Sequence, residues 1–287
     1  MKVGVISRGS PDYLIDIVTD GLIRLLGRKS LSLDYNVRGG WGGQYIHLLK
    51  DFVGPEPFDI HESDVLVASI RSEPQMTAWM ARTGKRKVVC IDGEDDFAIR
   101  DHVASRVKMY FKREYLKGRP YPANVRPLPF AAIPEPITEN VPPREPPVFY
   151  MGTPSHHDRK WVVEALTWMG FPPVTQRFEK AVYNRFLMGS LIGVSARGGG
   201  WDTYRYWEIP YFGAMLLSQR LEIVIPGDFI DGHEAMFFSG QEDFRKKLHQ
   251  ALSDRARTKK IAERGKQACQ ERHLSIHRAN TVLEALA

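Results

Sequence analysis

The chain has 287 residues, 43% of them hydrophobic and 11% aromatic, enough to bury the cores of two domains. No run approaches the ~20 apolar residues of a membrane span, and the apolar start, residues 3–6, is too short for a signal peptide. With 40 basic and 34 acidic residues the net charge is +6, which favours anionic partners such as nucleotides, anionic glycans, nucleic acid or a membrane surface.

Residues 2–6 (KVGVI) read as a strand, and a polar turn and an amphipathic pattern over 13–26 follow, closed by Gly27. Strand, turn and helix in that order open an α/β sheet. Residues 31–37 alternate apolar and polar and predict a second strand. The loop Arg38-Gly39-Gly40-Trp41-Gly42-Gly43 either presents Trp41 to a ligand as a stacking platform or is a flexible connection with Trp41 in the core. Residues 64–70 predict a third strand, 77–82 belong to a helix, and 87–91, with Cys90, predict a fourth strand. That strand runs into Asp92-Gly93-Glu94-Asp95-Asp96. Open α/β sheets place ligand contacts at the carboxyl ends of strands. Four carboxylates in five residues repel one another, so one pKa is raised, as a general base requires. Asp95 and Asp96 are therefore candidate bases; the alternative is a hydrated loop capping a helix from Phe97. Residues 107–111 predict a fifth strand. The Pro-rich stretch 134–147 reads as an interdomain linker, which sets the domains at 1–134 and 148–287 with a linker at 135–147.

The second half begins with a strand at 148–151, and its loop runs from Gly152 through His156 and His157 to Arg159. Helical patterns cover 160–169 and 179–188. A strand at 191–195 then delivers Gly198-Gly199-Gly200, Asp202 and Thr203, followed by a short helical segment with Arg205 and Glu208. Strands are predicted at 214–217 and 221–225, an apolar stretch at 235–238, and helices from 242 to the end. The runs 245–247 and 255–260 hold much of the basic excess and read as solvated helix faces. Cys90 and Cys269 lack metal-ligand spacing, which predicts two reduced thiols in a cytoplasmic protein.

A Gly-rich loop at a helix start offers unpaired N–H groups and a positive dipole end, which suits phosphate. Gly198 to Gly200 form a phosphate cradle or occupy positions that need positive φ, and the two are compatible. Arg159 and Arg205 suit bidentate grip of a diphosphate, although each is also readable as a surface arginine. Glu208 can accept from ribose hydroxyls or stand on the surface. His156 and His157 are candidates for the same loop cluster, while Tyr204, Tyr206 and Trp207 read as core. Pro210 predicts a short or kinked helix, at ~3 kcal/mol if the helix is regular.

These segments occur in a definite order: IDGEDD (91–96) with YFKRE (110–114), Gly152 with Arg159, YNRFLMGSLIGV (183–194), GGGWDTYRYWEIPYFGAMLL (198–217), FIDGHEAMFF (229–238) with QEDFRKKL (241–248), and ERHLSIHRANTVLEAL (271–286). In that order they resemble a GT-B glycosyltransferase and, more narrowly, the spore-maturation (CgeB-type) group. The likeness runs from about residue 91 to the C-terminus; the first ninety residues match only in strand and helix order. It implies two Rossmann-like α/β domains facing a cleft, with the nucleotide sugar on the C-terminal domain and most of the acceptor on the N-terminal one. Glu208 falls on the second, ribose-binding position of a Glu-x7-Glu motif, with Gly200 at the first and Asp202 available as its substitute. The activity implied is transfer of a sugar from a nucleotide diphosphate sugar to an acceptor hydroxyl, on a glycan, a small molecule or DNA. No metal and no resident cofactor are expected. Two alternatives stand beside it: a phage-type enzyme that glycosylates modified DNA bases, and a catalytically silent binding protein.

Overall fold

The computed structural model describes residues 1–8, 12–35, 55–84, 87–135, 137, 140–176 and 178–286. The loop around Trp41 lies outside them. The chain divides into two compact units: Met1–Ile133 with Ile223–Pro226 and Leu274–Ala287, and Pro134–Glu222 with Gly227–His273.

In unit 1 the elements are β1 (Val3–Ser7), α1 (Tyr13–Leu26), β2 (Leu31–Tyr35), β3 (Val65–Ser69), α2 (Glu73–Thr83), β4 (Val88–Asp92), α3 (Asp101–Ala104), β5 (Met109–Lys112) and β6 (Val125–Pro127). The strands form one parallel sheet in the order β2-β1-β3-β4-β5-β6. β3 and β4 are buried throughout, the pattern of parallel strands covered on both faces. α1 starts where the Asp12 carboxylate accepts from the Leu14 and Ile15 amides, satisfying donors a helix start leaves open. β6 arises from Pro-rich sequence and pairs only with β5; an edge strand tolerates Pro127 because no partner needs its missing N–H. The helix expected from Phe97 begins only at Asp101, because Asp96 turns its carboxylate back to the Ala98 amide at 2.8 Å.

Unit 2 contains β7 (Val148–Phe149), α4 (His157–Trp168), α5 (Lys180–Met188), β8 (Ile192–Ser195), α6 (Tyr204–Tyr211), β9 (Met215–Gln219), β10 (Met236–Phe238), α7 (Gln241–Ser253) and α8 (Arg255–Arg272). Its parallel sheet has the order β10-β9-β8-β7. Ile192, Val194, Met215 and Leu217 pack in one core with Val162, Leu166, Phe244 and Leu248. α6 is short, as Pro210 demands: the helix ends one residue later, and the Phe212 amide closes onto the Glu208 carbonyl at 2.9 Å.

Two segments depart from the sequence expectation. The closing helix α9 (Ser275–Glu284) packs on α1, in unit 1, rather than with residues 148–273. A Cβ on Gly21 would stand 2.3 Å from the Ser275 carbonyl oxygen, so only glycine lets the two helices approach this closely. Ser275 Oγ donates to Asp20 at 2.5 Å, and Arg278 donates to the Pro129 and Phe130 carbonyls at 3.0 Å. Residues 221–225 are no strand: Ile223 makes one antiparallel bridge to Leu116, and the Val224 amide donates to the Tyr115 carbonyl at 2.8 Å. That hydrogen bonding takes 223–226 into unit 1.

Candidate functional site

The loops leaving the carboxyl ends of β7 and β8 lead into the N-termini of α4 and α6. Two positive dipole ends therefore stand at the edge where open α/β sheets hold ligands. Tyr150, just past β7, is the hub. Its ring is buried, and among the described residues its hydroxyl has no hydrogen-bond partner. Burial raises the hydroxyl pKa, and the charges of Arg205 and Arg159 oppose that rise. The Arg205 guanidinium lies 5.7 Å from the Tyr150 ring centroid. A Cβ on Gly152 would come 2.8 Å from the Tyr150 hydroxyl.

Arg159 belongs to the first turn of α4 and lies against the triple glycine. A Cβ on Gly198 would stand 2.2 Å from Arg159 Nη2. Close approach, not φ, is the reason for glycine here, since none of Gly198, Gly199 and Gly200 adopts a positive φ. The Gly198 amide is used inside the loop, donating to the Gly200 carbonyl at 3.0 Å. Two loops about forty residues apart in sequence thus meet here: Gly152, Arg159 and Arg205 stand around one buried phenol, and Gly198 lies against Arg159. Arg197 adds a third guanidinium to this loop, 4.4 Å from the Trp201 ring centroid. Among the described residues neither Arg197 nor Arg205 makes an ion pair, and the Nε of each is buried without a hydrogen-bond partner.

The other candidates of the loop turn inward. Asp202 is buried and accepts from the Trp207 indole at 2.7 Å, so it holds α6 in place. Thr203 Oγ1 pairs with Ser195 Oγ at 2.9 Å. His156 caps α4, its Nδ1 accepting from the Asp158 amide at 3.2 Å, while His157 is largely exposed. Tyr206 and Trp207 are core, as their spacing predicts.

Glu208 shares the α6 face with Arg205, one turn on. Its side chain is only 5% exposed, and Lys180 pairs with one oxygen. Tyr183 donates to the other at 2.8 Å. Burial and then the Glu208 charge push the Tyr183 hydroxyl far above its usual pKa, so it remains a donor. Lys180 also stands 3.6 Å from Glu135, which accepts from Asn184 at 2.7 Å. Sequence reading did not single out Lys180, Tyr183, Glu135 or Tyr150. Lys180, Tyr183 and Tyr150 lie in or beside apolar segments near the Gly-rich strand, whereas Glu135 lies in the Pro-rich stretch read as a linker.

Asp95 and Asp96 lie in unit 1. The repulsion expected of the acidic loop is absent because each carboxylate meets a cation. Arg71 grips Glu94 at 2.9 and 3.0 Å. Buried Lys112 lies 3.1 Å from Asp92 and 3.4 Å from Asp96, and Arg113 pairs with Asp95. The Lys112-Arg113 dipeptide is thus the counter-charge of the acidic loop. The Asp95 and Asp96 side chains are 65% and 66% exposed. Among the described residues no group of three or more His, Cys, Asp or Glu is placed to hold a metal ion, and no helix is long and apolar enough to cross a membrane. Cys90 and Cys269 are both buried, and neither is in a disulfide.

Residues 167–284 match the glycosyl transferase-like family. No curated protein matches the sequence. Among solved structures, Anabaena Alr3699/HepE in complex with UDP is similar at 9% identity and a TM-score of 0.65, over 100% of this chain and 99% of that one. A glycosyltransferase from Rickettsia africae is similar at 10% identity and a TM-score of 0.66, over 99% and 97%. The apo lipopolysaccharide outer core galactosyltransferase WaaB is similar at 12% identity and a TM-score of 0.63, over 100% and 99%. With two parallel α/β units and full-length likeness to these structures, the chain has the GT-B glycosyltransferase fold, and its residues 167–284 carry the glycosyl transferase-like sequence pattern.

Proposed function

We propose that this chain is a glycosyltransferase that moves a sugar from a nucleotide diphosphate sugar to an acceptor hydroxyl. The observation that carries the reading is the convergence of Arg159 and Arg205 at the N-termini of α4 and α6, around Tyr150 and against Gly198. Guanidiniums and helix dipoles together neutralise a leaving diphosphate. In the reaction the acceptor oxygen bonds to the anomeric carbon. The bond from that carbon to the diphosphate oxygen breaks, the nucleoside diphosphate leaves with the electron pair, and the acceptor proton passes to a base. Because arginines supply the positive charge, the proposed chemistry runs without a metal. For an inverting outcome, Asp95 or Asp96 at the carboxyl end of β4 is the proposed base.

Glu208 is the proposed ribose ligand. To serve, it must share oxygens that Lys180 and Tyr183 already engage. A uridine nucleotide is the first candidate donor, since the HepE structures hold UDP and UDP-glucose. The order of motifs from 91 to 286 supports the spore-maturation group as the narrower relationship, and the acceptor is assigned to unit 1.

A thermal-shift panel of nucleoside diphosphates and their sugars tests this reading, because a ligand adds RT ln(1 + [L]/Kd) to stability. UDP and one UDP-sugar should raise the melting temperature, and that sugar nucleotide should be hydrolysed slowly. A melting temperature indifferent to every nucleoside diphosphate contradicts the proposal. A shift without any hydrolysis makes the chain a binding protein.

A further inference from the structure

A cavity of about 650 Å³ lies within unit 2, on the opposite side of its sheet from the candidate nucleotide site. Pro147, Leu191 and Gly213, which line it, immediately precede β7, β8 and β9 or stand within two residues of them. The cavity therefore sits at the amino ends of strands whose carboxyl ends lead to Gly152 and Gly198. Its volume falls within the range of small-molecule sites, roughly 300–1,000 Å³.

Four cations line it, Arg144, Arg255, Lys259 and Lys266, against two acids, Glu145 and Glu263. Among the described residues none of the six makes an ion pair. Arg255, Lys259, Glu263 and Lys266 recur at the spacing of one helix face along α8. Arg255 and Lys259 are exposed, as the solvated-face expectation for 255–260 has it, and both line the cavity.

Arg144 is held in place. Its amide donates to the Gly189 carbonyl at 2.5 Å, and Nη1 donates to the Val148 carbonyl at 3.1 Å. The guanidinium stands 4.9 Å from the ring centroids of both Phe149 and Phe186. A cation fixed this way loses little freedom when it binds an anion. Val141, Met188, Leu191 and Phe212 supply an apolar part of the wall, and Ser190 also lines it.

We propose that this cavity is a second ligand site, for an organic phosphate whose charged group meets the α8 cations and Arg144 and whose body lies on the apolar wall. The ligand is either a free phosphorylated small molecule or a lipid phosphate; both offer the same chemistry. The proposal does not depend on the function assigned to the other edge of the sheet.

Calorimetric titrations of the full chain with three probes test it: inorganic phosphate, phenyl phosphate, and dihexanoyl phosphatidic acid below its micelle concentration. Phenyl phosphate or the lipid should bind saturably and more tightly than inorganic phosphate. Preference for phenyl phosphate identifies a free metabolite as the source, and preference for the lipid identifies a membrane-derived phosphate. The double variant Lys259→Glu, Lys266→Glu should weaken binding about tenfold or more, the loss expected of a charged hydrogen bond. UDP titrations should not change in that variant, and Arg205→Ala should leave phenyl phosphate binding intact. Lys259 is exposed, so Lys259→Glu alone, checked by circular dichroism, separates lost binding from lost folding. The site is refuted by no saturable binding of any probe, by inorganic phosphate binding as tightly as the others, or by binding that survives charge reversal and disappears in Arg205→Ala.

Discussion

Lys180 and Glu208, twenty-eight residues apart, form a buried ion pair at the face of α6, with both side chains less than 10% exposed. Tyr183 completes the carboxylate and Glu135 stands behind the amine. Removing one member of such a pair leaves a buried charge uncompensated, whereas removing both costs far less. Lys180→Met should therefore destabilise the protein by about 3–5 kcal/mol, and the double variant Lys180→Met, Glu208→Gln should recover most of that loss. Urea unfolding of the three proteins measures both effects. Equal stability of Lys180→Met and the parent would show that the pair is not formed in solution.

Gly198 has no room for a methyl group beside Arg159. The obstructing atom is the tip of a long side chain, so Gly198→Ala should displace the guanidinium and leave the fold within about 1 kcal/mol of the parent. UDP affinity should fall about tenfold, as for loss of one charged hydrogen bond. In Arg159→Ala the added methyl should have little further effect. A double-mutant cycle by calorimetry gives the coupling, and additive losses would separate Gly198 from Arg159.

Tyr150 has a buried hydroxyl without a partner among the described residues. An unsatisfied buried donor costs about 1–3 kcal/mol. Tyr150→Phe should thus leave the free protein as stable as the parent or more stable, while UDP affinity falls if the hydroxyl meets a phosphate oxygen. Thermal melts with and without UDP read both. Destabilisation of the free protein would mean that the hydroxyl is bonded in solution.

Asp16 lies on the buried face of α1, and its Oδ2 lacks a partner among the described residues. Burial, and then the nearby Asp12 charge, hold its pKa well above the ordinary aspartate value of 3.8. The folded protein keeps this proton after the unfolded chain has lost it. Stability therefore falls as pH rises from 3.8 toward the folded-state value. Asp16→Asn should remove that slope and add about 1–3 kcal/mol near neutral pH. Urea midpoints of the parent and the variant between pH 4 and 8 test it, and parallel curves would contradict it.

What was legible in the sequence is what local patterning controls. α1 runs from Tyr13 to Leu26 because an apolar period of 3.6 lies between an Asp12 cap and Gly27. The strand, Gly-rich loop and short helix around 192–211 were readable for the same reason, Pro210 included. What was not legible depends on partners distant in the chain. α9 has an ordinary helical pattern, and the Gly21–Ser275 approach, with the Ser275–Asp20 and Arg278–Phe130 hydrogen bonds, assigns it to unit 1. Residues 221–225 carry a strand pattern, but their hydrogen bonds go to Tyr115 and Leu116. The acidic loop reads as mutually repelling until folding brings Arg71, Lys112 and Arg113 against it. Glu208 is legible as a carboxylate beside a Gly-rich loop, but its engagement by Lys180 and Tyr183 appears only once α5 lies against α6.

If Arg159 and Arg205 together hold a nucleoside diphosphate, a calorimetric titration of UDP into the parent and into the Arg159→Ala, Arg205→Ala double variant will separate the two proteins. The parent should bind saturably and one-to-one, and the variant should lose about a hundredfold or more, from two charged contacts of about 1.5–3 kcal/mol each. UDP binding of equal strength in a folded double variant would contradict that assignment.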